Sequence, residues 1–408
     1  MRKHCIYLVF AGLLFSTAGF AQLYNNGGAI YIQFNASVYD KGGLQNDVSG
    51  SNQGIIYNAG SIYLCGNLIN NVAAGVFDPS LSGQLYFVCN GSQIGGSQPI
   101  TVNNFTVEGN ITLLKNLTIV QNLNFGSAGI LTTSSSAMLI LNNGATVTGA
   151  GSISFVSGPM EKIGNTAFTF PVGAGTIYSP ISISAPQNPT DAFVGQYFNT
   201  GQSIGSTIDG TLNSISNCEY WGLNDINGTS LPIVSLSWNT NSCNSVSLNR
   251  MRLVGWNGTT WKNLGNGGNT PSAFGGTLAG ATPYPRGPLF PGYLAIGYFD
   301  DRLLQMAVLK PKLDDGYYFT QSNLLSFIYN EEYIANGNVL TFNIYANTNS
   351  ASDIIASNAL NTYSVPLNYK DNKCTIDLTT LGISPNAYYV LELISKKNEK
   401  SYLRFYYY

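Results

Sequence analysis

The segment from residue 103 to residue 125, NNFTVEGNITLLKNLTIVQNLNF, repeats a pair of apolar residues every six positions. One residue separates the two members of each pair, which is the period of a strand that buries one face. The pairs are Phe105/Val107, Ile111/Leu113, Leu117/Ile119 and Leu123/Phe125. Six residues accommodate a short strand and a corner, whereas hairpins favour longer strands with two-residue turns. This six-residue repeat therefore predicts a chain that winds into a parallel β-solenoid.

Comparable strand-like segments precede this repeat. AIYIQF, SIYLCG and QLYFVC are separated by corners rich in Asn, Gly and Ser. They recur at intervals of roughly 20 to 30 residues, as the rungs of a solenoid do. We predict that residues 22–160 form the solenoid, with an antiparallel sandwich as the alternative. Asn side chains at the corners could form ladders between rungs, which the sequence leaves open.

The composition indicates an all-β protein with few charges. Charged residues make up 9% of the chain, against about 25% in ordinary soluble proteins. Gly (45 residues) and Tyr (26 residues) are abundant, and an aromatic-rich chain with few charges does not resemble a disordered one. The net charge of -2 offers no basic surface for nucleic acid, so we expect no nucleic-acid partner.

The N-terminus has the features of a secretory signal peptide. Arg2 and Lys3 precede an apolar run, and small residues end at Ala21, where we predict cleavage. A membrane anchor is the alternative, but the run falls short of the ~20 residues that span a bilayer. We therefore expect residues 1–21 to be removed and the mature chain, without a transmembrane segment, to be secreted or displayed on the cell surface.

The residues of the mature chain argue against catalysis. His4 is the one histidine of the sequence, and it lies in the predicted signal peptide, so histidine-based triads, bases and zinc sites are excluded from the mature protein. Polysaccharide-cleaving solenoids need two or three converging carboxylates. The acids between residues 22 and 158 are Asp40, Asp47, Asp78 and Glu108. We predict no catalytic residues, no metal site and no cofactor.

Five cysteines remain after the signal peptide. Cys65 and Cys89 occur in similar contexts, SIYLC and LYFVC, which predicts a disulfide or buried thiols on neighbouring strands. Cys218 and Cys243 lie in polar, turn-rich surroundings and could form a second disulfide in an oxidising compartment. Cys374 is left over, and no CxxC spacing suggests a metal site.

Two further domains are predicted after the solenoid. Residues 161–300 read as a β-sandwich that contains all four tryptophans of the chain. Trp221, Trp256 and Trp261 form either an aromatic core or a sugar-binding platform. Residues 301–408 are richer in charge and contain six short strand-like segments, which predicts a small Ig-like sandwich.

Several segments carry a resemblance to a known group of proteins. GATVTGAGSISFVSGPMEKIG, FTFPVGAGTIYSPISIS, CEYWGLND and WNGTTWKNLG resemble successive modules of large secreted surface proteins from Gram-negative bacteria that use the type IX secretion system. The resemblance implies a β-solenoid that leads into a sandwich, with a role in adhesion or surface structure, and it brings no catalytic residues.

The C-terminal stretch, TIDLTTLGISPNAYYVLELISKKNEKSYLRF, is similar to the sorting domain of such proteins, which implies the secretion machinery as a partner. Asn386-Ala387-Tyr388 stands where that domain has Gly-x-Tyr, and a permanent structural module is the alternative.

These observations predict a non-enzymatic secreted or cell-surface protein with an adhesive or structural role. Surface glycans or other cell-surface proteins are its expected partners. A polysaccharide-binding or polysaccharide-degrading protein is the alternative.

Overall fold

The structure is a computed structural model of the 408-residue chain. It describes residues 21–73, 75–126, 128–208, 212–239, 242, 251–272, 275–283, 292–299, 304–305, 318–320, 322–329, 334–335, 339–347, 359–366, 373–394 and 400–408. Within these ranges the protein is all-β, as predicted, and its helical element is one 3-10 turn at Leu378–Leu381. The described residues contain no helix with the length and apolarity to cross a bilayer.

The chain divides into two compact units, one made of residues 1–131 with 147–149 and the other of residues 132–146 with 150–408. Strands in the first unit are short, and most have four residues. They are β1 (Leu23–Asn26), β2 (Ala29–Ile32), β3 (Ser37–Asp40), β4 (Gly43–Ser49), β5 (Asn52–Gln53), β6 (Ile55–Asn58), β7 (Ser61–Leu64), β8 (Asn67–Asn70), β9 (Gln84–Phe87), β10 (Ser92–Gly95), β11 (Ile100–Val107), β12 (Ile111–Leu113), β13 (Leu117–Phe125) and β14 (Gly129–Thr132).

These strands stack in parallel along three sides of a solenoid. One side has the order β1, β4, β8, β10, β12, β14, and a second has the order β3, β7, β9, β11, β13. On the third side β2 pairs with β6. The pairs are parallel apart from the small β4–β5 hairpin. The solenoid has about six turns, which confirms the prediction from the six-residue repeat; the antiparallel alternative is wrong for this region.

The six-residue repeat corresponds to single sides of the rungs. Phe105 lies beside Leu123 on the next rung, and all eight apolar residues of the repeat are buried, none more than 3% exposed. Asn104 and Asn122 are 18 residues apart and pair in the same register. The rung from Asn104 to Asn122 therefore consists of three sides of six residues, and apolar residues such as Phe105 stack on their equivalents along the axis.

Asparagine ladders hold successive rungs together at the corners. Asn25 donates from Nδ2 to Oδ1 of Asn46 at 2.9 Å, and Asn46 donates in turn to the carbonyl of Gly54 at 2.9 Å. Asn122 donates to Oδ1 of Asn104 at 2.8 Å. Asn25, Asn46 and Asn104 are buried. Because buried amides need partners, such ladders fix the register of the rungs; the sequence had left them open.

The strands from residue 139 to residue 299 form mixed and antiparallel sheets. They are β15 (Leu139–Leu141), β16 (Thr146–Thr148), β17 (Ser154–Ser157), β18 (Met160–Ile163), β19 (Phe168–Phe170), β20 (Val172–Ala174), β21 (Ile177–Tyr178), β22 (Ile181–Ile183), β23 (Ala192–Phe198), β24 (Leu212–Ile215), β25 (Tyr220–Asn227), β26 (Val234–Asn239), β27 (Met251–Trp256), β28 (Trp261–Asn263), β29 (Gly268–Ser272), β30 (Gly275–Ala279) and β31 (Tyr293–Phe299).

Strand direction changes at β18. This strand pairs in parallel with β15 along one edge and antiparallel with β23 along the other. The sheet then continues through β25, β31, β27 and β28, and a second sheet has the order β19, β22, β26, β30, β29. In the sheet of β18 the parallel pairing therefore ends near residue 160, whereas in another sheet β17 still pairs in parallel with β20. The compact units divide at residues 131 and 132, and the solenoid boundary at residue 160 stays a prediction.

The last strands form a three-stranded and a six-stranded sheet around one apolar core. They are β32 (Leu304–Gln305), β33 (Tyr318–Thr320), β34 (Leu324–Tyr329), β35 (Ile334–Ala335), β36 (Val339–Asn347), β37 (Asn361–Pro366), β38 (Lys373–Asp377), β39 (Ala387–Ile394) and β40 (Lys400–Tyr407). Phe327 from the first sheet and Phe342 and Phe405 from the second are buried in that core.

Candidate binding groove on the solenoid

The three tryptophans that could have formed a sugar-binding platform are buried. Trp221 and Trp261 are 0% exposed and Trp256 is 8% exposed. Trp221 donates from Nε1 to the carbonyl of Ser179 at 2.9 Å, and Trp261 donates to the carbonyl of Gly205 at 2.9 Å. Their ring faces pack against protein, so they offer no surface for a sugar to stack on. The aromatic-core interpretation is the one that this burial supports.

Three of the four cysteines in the described ranges are disulfide-bonded. Cys65 and Cys89 form a disulfide between positions 24 residues apart, which ties one rung to the next. Cys218 is disulfide-bonded, and Cys243, its predicted partner, lies outside the described residues. Cys374 is a free, buried thiol, and burial raises its pKa to about 12.

Two carboxylates of the solenoid, those of Asp40 and Asp47, accept structural hydrogen bonds. Asp40 accepts from the backbone N–H groups of Leu23 and Gly42 at 2.8 Å. Asp47 accepts from Nδ2 of Asn71 at 2.6 Å, and this bond lowers the pKa of the Asp47 carboxyl. Nowhere in the described ranges do three His, Cys, Asp or Glu residues gather as metal ligands would. These acids therefore hold rungs and corners together.

Glu219 is a deeply buried acid of the second unit. It is 1% exposed, and its Oε2 accepts from the hydroxyl of Tyr197 at 2.9 Å. Burial raises the pKa of the Glu219 carboxyl. A buried carboxyl bonded to a core tyrosine is part of the interior.

Two stacks of tyrosines lie on the outside of the solenoid instead. Tyr39, Tyr63 and Tyr86 occupy equivalent positions on β3, β7 and β9, with ring centroids 4.4 Å apart at each step. Tyr31 and Tyr57 form a second stack on β2 and β6, with centroids 4.6 Å apart. Spacings this close to the inter-strand distance of about 4.8 Å follow from parallel in-register pairing.

A groove of about 390 Å³ lies at the corner that follows β2 and β6 and precedes β3, β7 and β9 in the sequence. It crosses three rungs. Its lining consists of Phe34, Asn35, Ala36, Ser37, Ala59, Gly60, Ser61, Ser82 and Gln84. Tyr31 and Tyr57 precede this corner in the sequence. On each rung the tyrosine of the other stack (Tyr39, Tyr63 or Tyr86) follows the last lining residue by two positions. The lining is thus small and polar apart from Phe34, and tyrosines flank it in the sequence on both sides.

Backbone hydrogen bonds between rungs make the floor of the groove rigid. Ser61 N donates to Ala36 O at 2.9 Å, and Gln84 N donates to Gly60 O at 2.8 Å. Gly60 cannot be replaced without a shift, because a Cβ there would lie 2.3 Å from the carbonyl oxygen of Ala36. Asn35 has a φ of 64°, a left-handed conformation that Asn tolerates. A ligand would therefore meet a preformed surface.

The groove carries no ionisable lining residue among those described. On β9, next to the groove, the pKa of Tyr86 is raised, chiefly by burial and then by the neighbouring Tyr63. The groove is thus uncharged at neutral pH. It offers hydroxyl, amide and backbone groups for hydrogen bonding, beside exposed aromatic rings.

Sequence reasoning did not select these tyrosines, although a signal was present. In AIYIQF, SIYLCG and QLYFVC the tyrosine lies between two apolar residues, and in a strand with one buried face that position points outward. Comparison with protein-family models, curated proteins and solved structures finds no match to this chain.

Proposed function

We propose that the protein is a non-enzymatic extracellular or cell-surface protein with an adhesive or structural role. The observation that carries this proposal is the surface of the solenoid. It is rigid, nearly free of charge and bordered by exposed aromatic rings, while Asp40 and Asp47 are engaged in structural hydrogen bonds. Such a surface suits contact with a partner better than general acid–base chemistry, which needs convergent titrating groups.

The proposal includes two β-sandwiches after the solenoid. Support for the central one comes from its two sheets and from Trp221 of the first sheet, which donates to Ser179 beside the second. Support for the C-terminal one comes from the apolar core that its two sheets share, with Leu325 from one and Leu391 from the other. Shared burial between two sheets is the basis of a sandwich.

Export by a signal peptide and sorting through the C-terminal domain complete the proposal, on the sequence features of residues 1–21 and 301–408. Fractionation of the native bacterium, with antibodies to the solenoid and to the C-terminal domain, tests it. We expect the solenoid on the cell surface or in the medium, and accessible to added protease. Periplasmic protein with its C-terminal domain intact would contradict surface export. Release of soluble products from any polysaccharide would contradict the non-enzymatic role.

A polysaccharide-binding role is the second candidate. The groove favours it, because uncharged hydrogen-bonding groups beside exposed aromatic rings match the surface of a sugar chain better than that of a folded protein. This candidate is compatible with adhesion, since a surface protein that binds glycans attaches cells to them.

A further inference from the structure

The aromatic residues at the groove are exposed to an unusual degree. Phe34 is 78% exposed, Tyr39 74% and Tyr31 67%. Single exposed apolar residues are common on protein surfaces, whereas contiguous exposed rings mark contact surfaces. Stacking between rungs does not require Phe34 at all, since no ring stacks on it among the described residues. The exposure of Phe34, Tyr39 and Tyr31 therefore indicates a surface that contacts another molecule.

The chemistry of the lining defines the partner. Ser37, Ser61 and Ser82 present hydroxyl groups on three rungs, and Asn35 and Gln84 add amides. A charged ligand would find no counter-charge in this lining, and leaving a charge uncompensated in a contact is costly. A neutral ligand rich in hydroxyl groups, with an apolar ring face, matches both the polar floor and the aromatic border.

The geometry defines the shape of that partner. The groove extends over three rungs, about 10 Å at the inter-strand spacing, and it is open to solvent instead of closed around a small molecule. Tyr39 stacks on Tyr63 through one face only among the described residues. Its other face is available to a ring that arrives along the solenoid axis. These features suit one extended chain of linked rings.

We propose that this corner groove binds a single chain of a neutral polysaccharide, which lies along the solenoid axis between the two tyrosine stacks. The inference rests on the proposed adhesive function and names the ligand class for it. Binding comes from ring stacking on Phe34 and Tyr39 and from hydrogen bonds to the serine hydroxyls. It does not depend on charge.

Affinity electrophoresis of the purified protein in gels that contain single polysaccharides tests the proposal. The panel comprises neutral polymers (a β-glucan, a xylan, a mannan and starch) and acidic ones (alginate and polygalacturonate). We expect at least one neutral polymer to retard the protein. The F34A/Y39A variant should bind it at least about tenfold more weakly, as loss of central aromatic contacts does at other interfaces.

The matched control is Tyr24→Ala. Tyr24 is 54% exposed and belongs to the same rung, but it lies on β1, outside the groove. Its removal should change binding less than about twofold. Circular dichroism should show both variants folded, since all three side chains are exposed. Binding should also persist between about 0.05 and 0.5 M salt, because it involves no ion pairs.

Three results would overturn the inference. They are the failure of every neutral polymer to retard the protein, retention of binding by F34A/Y39A, and preference for the acidic polymers. Self-association that is lost in F34A/Y39A, seen by analytical ultracentrifugation without glycan binding, would assign the groove to a second copy of the chain and also overturn it. None of these results depends on where the protein is found in the cell, so the localisation test of the proposed function remains independent.

Discussion

The solenoid and the strands that follow it both contain many aromatic residues, but they place them on opposite sides of their sheets. The solenoid stacks Tyr39, Tyr63 and Tyr86 on its outer surface. The second unit encloses Trp221 and Trp261 completely. The difference follows from the size of the two interiors. A six-residue side has room for one or two aliphatic residues or a Phe facing inward, whereas antiparallel sheets that pack against each other can enclose larger rings.

This contrast separates two functions that an aromatic cluster can have. Buried indoles contribute apolar burial and one hydrogen bond each, so their loss should reduce stability. Exposed phenol rings contribute little to folding, so their loss should reduce binding. Variants in which the free energy of unfolding and the affinity for polysaccharide change independently therefore test this distinction.

The largest expected effect is that of Trp221→Ala. The substitution removes a fully buried ring and leaves the carbonyl of Ser179 without its indole donor. Large-to-small changes of this kind cost about 3–5 kcal/mol. Urea unfolding followed by circular dichroism measures the loss. Trp221→Phe, which keeps most of the volume, should lose less.

If Trp221→Ala instead left the unfolding curve unchanged and abolished binding to a polysaccharide, the tryptophan would be a binding residue. The contrast between the two regions would then be reversed.

The disulfide of the solenoid should have the next largest effect. The loop between Cys65 and Cys89 spans 24 residues, and closing a loop of about this length stabilises a protein by roughly 3 kcal/mol. We expect C65S/C89S to unfold at a lower urea concentration than the unmodified chain, measured without reductant so that the bond of Cys218 is preserved. Labelling by iodoacetamide of Cys65 in the native, unreduced protein would show that the bond does not form.

Sequence alone predicted the solenoid because its signal is periodic. The pairs from Phe105 to Phe125 specify strand length, corner spacing and inner face together, and all of them proved buried. The position of the exposed rings was also implicit, since alternation places Tyr39 opposite Val38. For Trp221 no such rule applied. A strand of an antiparallel sheet exposes one face to solvent or neither, depending on whether a second sheet covers it. That packing depends on contacts between residues far apart in the sequence.

The groove was beyond prediction for a related reason. Phe34, Ser61 and Gln84 come from three rungs of unequal length, and their juxtaposition depends on the register of each pair. A shift of one residue would point every tyrosine inward. The register is held by contacts such as the asparagine ladders, which composition suggested but could not locate.

Loss of an asparagine ladder should reduce the free energy of unfolding by an intermediate amount. Asn46 is 0% exposed, accepts from Asn25 and donates to the carbonyl of Gly54. Asn46→Ala removes the donor of the buried Gly54 carbonyl and leaves the Asn25 amide only its bond to the carbonyl of Gly28, and the loss should cost about 1–3 kcal/mol. Asn110→Ala is the matched control, because Asn110 is exposed and accepts from Ile130 N at a surface corner. Its loss should be under about 1 kcal/mol. Equal losses at the two positions, by urea unfolding, would show that burial does not govern the strength of the ladders.

The smallest effect on stability should come from Tyr39→Ala. Because the variant should remain folded, a loss of binding could be attributed to the missing ring. Tyr39 has one stacking partner among the described residues and is 74% exposed. Cross-strand aromatic pairs contribute roughly 0.2–1 kcal/mol, so the unfolding midpoint should shift only slightly. Tyr63→Ala should shift it more, because the ring of Tyr63 stacks on both Tyr39 and Tyr86. A loss at Tyr39 as large as that at Trp221 would mean that the stack is needed for folding, and its exposure would then indicate nothing about a ligand. A minor loss of stability with a large loss of polysaccharide binding is the combination that only a surface contact residue produces.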